Sequence, residues 1–189
     1  PWWTTDIGGF YGGDIDSPSF RELVVRWFQY GVFCPVCRLH GHRMPITKSL
    51  PGSGAANEVW SFGDEVYEIL RGLLFLREQL RPYIHQQMQL ASETGLPPMR
   101  PLLVDFPDDV ECETVDDQFM FGPELLVAPI LHEGARERPV YLPTGTNWVN
   151  VATGALQSGG QWVQVAAPLA VIPVFVKENS RLLAVFQSQ

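Results

Sequence analysis

Arg38 and His40 stand two residues apart near the centre of FCPVCRLHGHR (33–43), and they are the side chains of this sequence best suited to chemistry. On an extended strand, residues two apart point to the same face. A guanidinium fork and an imidazole beside a carboxylate offer donors and acceptors together, which is what a hydroxyl-rich ligand requires. Asp6 could supply the carboxylate, and Phe10, four residues on in DIGGF, a flat apolar face. Arg100, Asp105 and Asp108 surround a third apolar run. A structural alternative stands beside the binding one: Arg38 pairs with Asp6 or Asp105 and ties strand ends together.

Other chemistries find less support. His40-x-His42 has the alternation of a metal site, but no third ligand stands at a recognisable spacing and HExxH is absent, so no metal is expected. A serine hydrolase needs a G-x-S-x-G elbow after a strand, and the Gly52-Ser53-Gly54 piece has no strand before it. The glycines of IGGFYGG (7–13) form neither GxGxxG nor a P-loop, so no nucleotide or other cofactor is expected. Asp105, Asp108 and Asp109 flank prolines and read as turn formers. His85 and His132 have no companions. Three cysteines are too few for a disulfide framework. Cys34 and Cys37, if on one strand, face opposite ways and read as buried structural thiols.

The elements around these residues follow from periodicity. Trp2 to Asp6 reads as the end of a strand, followed by a glycine loop that can pass close to a ligand. Ser17-Pro18 starts a helix, with a hydroxyl for the N-cap and proline in the first turn. Phe20, Leu23, Val24, Trp27 and Phe28 give it an apolar face to about Tyr30, with Gly31 as its stop. Phe33–Leu39 is then a strand delivering Arg38 and His40 to a pocket at its carboxyl end. A long polar loop spans about 40–60 and contains Pro45 and Pro51. Ser61 and Asp64 look like a capping box for a helix over about 63–94, in which Pro82 must kink or divide the chain. Met99–Phe106 is a third apolar strand.

Strands separated by helices indicate right-handed βαβ units in a parallel sheet, either open or closed into a barrel. Three units cannot close a barrel, so a barrel reading leaves about five units ahead of this segment. From about Gly122 the pattern changes to short apolar runs every ten residues or so, separated by PTGTN, ATG and SGG. That is the signature of a small all-β module. The division expected is residues 1–121 and 122–189.

Composition narrows the partners. With 46% apolar and 18% charged residues the chain can bury a substantial core. A formal net charge of −8 opposes nucleic acid or an anionic membrane as partner, because phosphates would be repelled. No run of about 18 apolar residues is present to span a bilayer. The few cysteines favour a cytoplasmic setting over a secreted one. The opening PWWTTD is already strand-like, so the sequence reads as beginning inside a fold, with any leader upstream.

The ordered set WWTTDIGGF (2–10), RELVVRWFQYGVFCPVCRLHG (21–41), LRPYIH (80–85), GLPPMRPLLVDFPDD (95–109), DQFMFGPELLVAPI (117–130), VYLPTGTNW (140–148) and APLAVIPVFVKENS (167–180) resembles glycoside hydrolase family 31. The resemblance implies an α/β fold: the C-terminal portion of a (β/α)8 barrel followed by a small β-sandwich domain. It implies a retaining α-glycosidase, α-xylosidase or α-glucosidase, acting on α-linked oligosaccharides or glycosides, with His40, Asp6 and Phe10 lining the subsite for the sugar being cleaved. Arg38 would orient His40 or an acidic neighbour. The family's two catalytic aspartates belong upstream of DIGGF, so no catalytic residue is expected here and the rest of the barrel becomes a required partner. A non-catalytic carbohydrate-binding or scaffold subunit is the competing expectation. A third is an excised piece that aggregates through its cut edge.

Overall fold

The computed structural model describes residues 1–44 and 54–187. Pro45, Pro51 and Gly52-Ser53 of the expected polar loop lie outside the described residues.

Two helices carry the first half. Helix α1, Pro18–Val32, begins as expected: Ser17 accepts from the Phe20 N–H and Pro18 occupies the first turn. It outruns the expected stop, because Gly31 is helical. A Cβ at Gly31 would lie 2.5 Å from Cδ1 of Ile7, so this glycine is room for a neighbour and not a terminator. Helix α2, Asp64–Thr94, is continuous through Pro82 and ends on Gly95 in the left-handed conformation. The expected capping box does not form. Gly63 is the N-cap residue, and the Ser61 hydroxyl donates to Glu58 instead. Val66, Leu70, Leu73, Leu76, Leu80 and Ile84 are buried, and Val24, Val25, Phe28 and Val32 of α1 join them in one cluster.

Three of the expected strands are corrected. Trp2 to Asp6 is not a strand, and the first bridge comes after it, at Ile7. Phe33–Leu39 is not a strand. Phe33 caps α1, residues 34–36 turn, and only Leu39 makes a bridge, parallel to Ile7. Pro35 has no N–H to give a ladder, and the Arg77 guanidinium of α2 takes the carbonyls of Val32 (2.6 Å), Cys34 (2.6 Å) and Pro35 (2.8 Å). Backbone acceptors that a strand would need are thus used by a side chain. Met99–Phe106 is not a parallel strand either. Only Met99–Arg100 (β1) is extended, and it pairs antiparallel with Phe119–Phe121 (β2). Pro101 then breaks the ladder, and a 3-10 turn, Leu102–Val104, brings Asp105 back onto the Arg100 guanidinium at 2.6 and 2.8 Å. Asp105 is therefore bound to Arg100, five residues away, and not to Arg38.

The all-β pattern is fulfilled by Leu125–Val127 (β3), Glu137–Leu142 (β4), Asn147–Asn150 (β5), Leu156–Ser158 (β6), Gln161–Ala166 (β7) and Val174–Lys177 (β8). Six strands form one antiparallel sheet in the order β1-β2-β3-β8-β5-β6, and β4 pairs with β7. The sheet takes β1 and β2 from residues ahead of the change of pattern at Gly122. Period-2 alternation sends its two faces to different cores. Phe121, Leu125, Val127, Val174 and Val176 pack on the helices; Met120, Leu126 and Phe175 pack with Val140, Leu142, Trp148 and Val165. A strand covered on both faces reads as an unbroken apolar run, as LLVAPIL does. A short terminal helix, Leu183–Gln187 (α3), leans on α2. Among the described residues no helix is long and apolar enough to cross a membrane.

One buried side chain fastens residues 7–12 to residues 40–42. Arg43 is fully buried, and its guanidinium donates to the carbonyls of Ile7 (3.1 Å), Gly9 (2.8 Å), Gly12 (3.3 Å), His40 (3.3 Å) and His42 (3.4 Å), and to Asn57 Oδ1 (2.7 Å). Gly8 lies so close beneath it that a Cβ there would be 2.6 Å from the guanidinium.

Two predictions follow from this packing. Arg43→Ala strands buried carbonyls and should cost about 3 kcal/mol or more in urea denaturation. Arg43→Lys should recover only part, since an ammonium with three donors cannot satisfy a planar fan of acceptors. Arg71→Ala, removing an exposed pair with Glu68, should stay within about 0.5 kcal/mol. Equal losses at Arg43 and Arg71 would contradict the clamp. The second concerns Asp109, buried between the 3-10 turn Val110–Glu113 and β4. Burial pushes its carboxyl up, but the Thr144 N–H (2.8 Å), the Tyr141 hydroxyl (2.9 Å) and the Glu111 N–H (3.3 Å) outweigh this and hold it below the usual carboxylate range. A depressed folded value stabilises above the unfolded value of about 3.9 and is lost as pH falls through the folded one. The stability gap between wild type and Asp109→Asn should therefore be widest near neutrality and narrow below about pH 4. A gap constant down to about pH 2 would contradict it.

Candidate functional site

Residues 6–14 and 38–44 run side by side. The Ile7 N–H donates to the Arg38 carbonyl (3.2 Å), the His42 N–H to the Phe10 carbonyl (2.9 Å) and the Met44 N–H to the Gly13 carbonyl (3.0 Å). The pairing is parallel, as the βαβ reading requires, but it consists of the bridges Ile7–Leu39 and Asp14–Met44 in place of a continuous ladder. Gly41 makes the approach possible. Its φ is +131°, and a Cβ would lie 2.3 Å from the Gly9 carbonyl oxygen.

This arrangement joins the four expected residues in two pairs. Arg38 donates through Nε to Asp6 Oδ1 at 2.9 Å, with a second contact from Nη2. Phe10 and His40 have ring centroids 5.5 Å apart. Arg38 and His40 flank Leu39, whose bridge to Ile7 ties the two segments together. Arg38, Phe10 and His40 are exposed and Asp6 is half-buried. The Arg38–Asp6 side chains are 49% and 24% exposed, and their ion pair is one that the structural alternative named. An ion pair so open to water contributes about 0–1 kcal/mol, less than the buried Arg43 clamp beneath it, and it leaves a carboxylate and a guanidinium at the surface.

Remaining candidates fall away from the rim. Asp105 is engaged by Arg100, Asp109 by Tyr141 and Thr144, and Asp108 is exposed in a turn. His85 lies on the exposed side of α2, and His132 is exposed in the loop after β3. Among the described residues no group of three His, Cys, Asp or Glu side chains stands close enough to hold a metal ion. Cys34 is buried and Cys37 half-buried, and burial raises both thiols, that of Cys34 to about 12. Neither is poised as a nucleophile.

Sequence reasoning missed three contributors. Arg43 sits in a polar run and carries no local mark of burial. Asn57, which orients Arg43, is remote in sequence. Tyr11 follows DIGGF directly, yet only the structure reveals its ring stacked on His42, with centroids 5.7 Å apart and planes at 18°.

Comparison with known proteins gives this geometry a family. Residues 1–87 match the sequence model of the glycosyl hydrolases family 31 TIM-barrel domain, and residues 95–182 that of the glycosyl hydrolase family 31 C-terminal domain. The α-xylosidase of Saccharolobus solfataricus is 37% identical over 182 residues, covering 96% of this chain and 23% of that protein. α-Glucosidase 2 of Bacillus thermoamyloliquefaciens is 34% identical over 180 residues, covering 94% and 21%. The crystal structure of a family 31 α-xylosidase from a soil metagenome, complexed with xylose, superposes with a TM-score of 0.94 at 53% identity, covering 98% of this chain and 29% of that one. The chain thus spans about a quarter of the length of these relatives. Its first part is a segment of the family's (β/α)8 barrel and its second the family's β domain. Two matched domains in order, near-complete coverage and close superposition lead to one conclusion: this chain belongs to glycoside hydrolase family 31.

Proposed function

We propose that this chain forms part of the sugar-binding rim of a retaining α-glycosidase, an α-xylosidase or α-glucosidase, whose two catalytic carboxyl groups come from another part of the enzyme. The observation that carries the reading is the rim itself: Asp6 paired with Arg38 beside Phe10 paired with His40, on two clamped parallel segments. His40 and Asp6 would exchange hydrogen bonds with ring hydroxyls, Phe10 would cover an apolar face of the sugar, and Arg38 would keep the Asp6 carboxylate oriented. The likeness to an α-xylosidase solved with xylose supports the same reading. It also supports xylose over glucose as the first sugar to try. The family matches support dividing the chain nearer Gly95 than Gly122.

In the whole enzyme one carboxylate attacks the anomeric carbon as the glycosidic C–O bond breaks, and the second carboxyl gives its proton to the leaving oxygen. That second group then takes a proton from water, which displaces the first carboxylate and releases the sugar. The chemistry needs carboxyls about 5–5.5 Å apart across the bond. Asp6, engaged with Arg38 at the rim, is assigned to binding. The barrel supplying the acids would also cover Trp2 and Trp3, which are 53% and 56% exposed in this chain.

The test is to join this chain to a barrel segment carrying the two aspartates and to assay aryl α-xylosides and α-glucosides. Turnover by the joined protein, with none from the chain alone, is expected. Replacing His40 by Ala should lower kcat/KM by about 100-fold, since a hydrogen bond to the reacting sugar is lost. Sugar binding without turnover in the joined protein would favour a carbohydrate-binding or scaffold subunit.

A further inference from the structure

We propose that Tyr11, backed by His42, is a stacking platform for the second ring of the substrate, the sugar or aryl group beyond the bond that is cut. The inference rests on the glycosidase reading and extends it to the leaving-group side.

Four rings form a connected row. His40 meets Phe10 at 5.5 Å, Phe10 meets Tyr11 edge-on at 4.7 Å and 83°, and Tyr11 lies nearly parallel to His42. Phe10 also meets His42 edge-on at 6.1 Å. The row therefore links Tyr11 through Phe10 to His40, the residue assigned to the first sugar. Tyr11 is 77% exposed, so its ring adds little to the core. One face is spent on His42, and the rest of the ring is left uncovered by the described residues. The mount is stiff: the His42 N–H holds the Phe10 carbonyl, and Arg43 holds the carbonyls of Gly12 and His42 from beneath. An open, rigidly mounted aromatic face suits the C–H face of a pyranose or a planar aryl aglycone, because the ring's negative quadrupole attracts positive edges. Being uncharged, it does not select among hydroxyl patterns, which suits a leaving group better than the sugar being recognised.

Kinetics on two substrates tests this in the full enzyme. α-Xylosyl fluoride leaves a single atom and needs no platform, whereas a xylosyl-glucose disaccharide needs one. Tyr11→Ala should lower kcat/KM for the disaccharide about ten-fold while leaving the fluoride within about two-fold, and Tyr11→Phe, which keeps the ring, should match wild type on both. Equal losses on both substrates, or no loss on either, would overturn the platform and leave the glycosidase reading standing. Wild-type enzyme inert on both would overturn the glycosidase reading, and the platform with it.

Discussion

A cation buried with no carboxylate partner among the described residues is costly unless its donors are fully used, and Arg43 uses every arm of its guanidinium on backbone carbonyls and Asn57. Burial pulls its pKa down, yet an arginine keeps its charge. The acceptors belong to both segments of the candidate site, Ile7, Gly9 and Gly12 on one side and His40 and His42 on the other. Two stretches that lack a continuous ladder are thereby held in register. Everything assigned to the rim depends on that register.

The same device recurs where regular structure stops. Arg77 collects the carbonyls at the end of α1, and Arg26 collects those of Ala135, Ala167, Pro168 and Val171, fastening α1 to loops of the β module. Arg138 does so for Pro129 and Asp117. Planar guanidinium groups, with five donors each, satisfy backbone that neither helix nor sheet can. The six-stranded sheet adds the second link between the parts, since one of its faces is buried by the helices and the other by β4 and β7. A rim proposed to hold a sugar to fractions of an ångström benefits from such a foundation.

Periodicity made the helices and the later strands legible, because amphipathic spacing and regular turn signals are local properties. It failed at Phe33–Leu39 and Met99–Phe106, where apolar composition suggested strands and tertiary partners decided otherwise: Arg77 claimed the carbonyls of the first, and the Arg100–Asp105 pair curled the second. Gly31 was legible as special but for the wrong reason, since its missing Cβ admits Ile7. Of the candidate site, Asp6, Phe10, Arg38 and His40 could be nominated from residue type and spacing. Their pairing could be posed but not chosen, because by sequence Asp6 and Asp105 are both open to Arg38, and it is the fold that gives Asp105 to Arg100. Arg43 and Tyr11 carried no sequence signal, as a buried arginine and a stacked tyrosine are defined by distant neighbours.

The central claim, that Asp6, Phe10, Arg38 and His40 form one sugar-gripping rim on a clamped pair of segments, is tested most directly by a crystal structure of the full enzyme with xylose bound. The account predicts ring hydroxyls within about 3.2 Å of a His40 nitrogen and an Asp6 oxygen, with the Phe10 ring against the sugar. A sugar seated in the active-site pocket without touching His40 or Asp6 would contradict it.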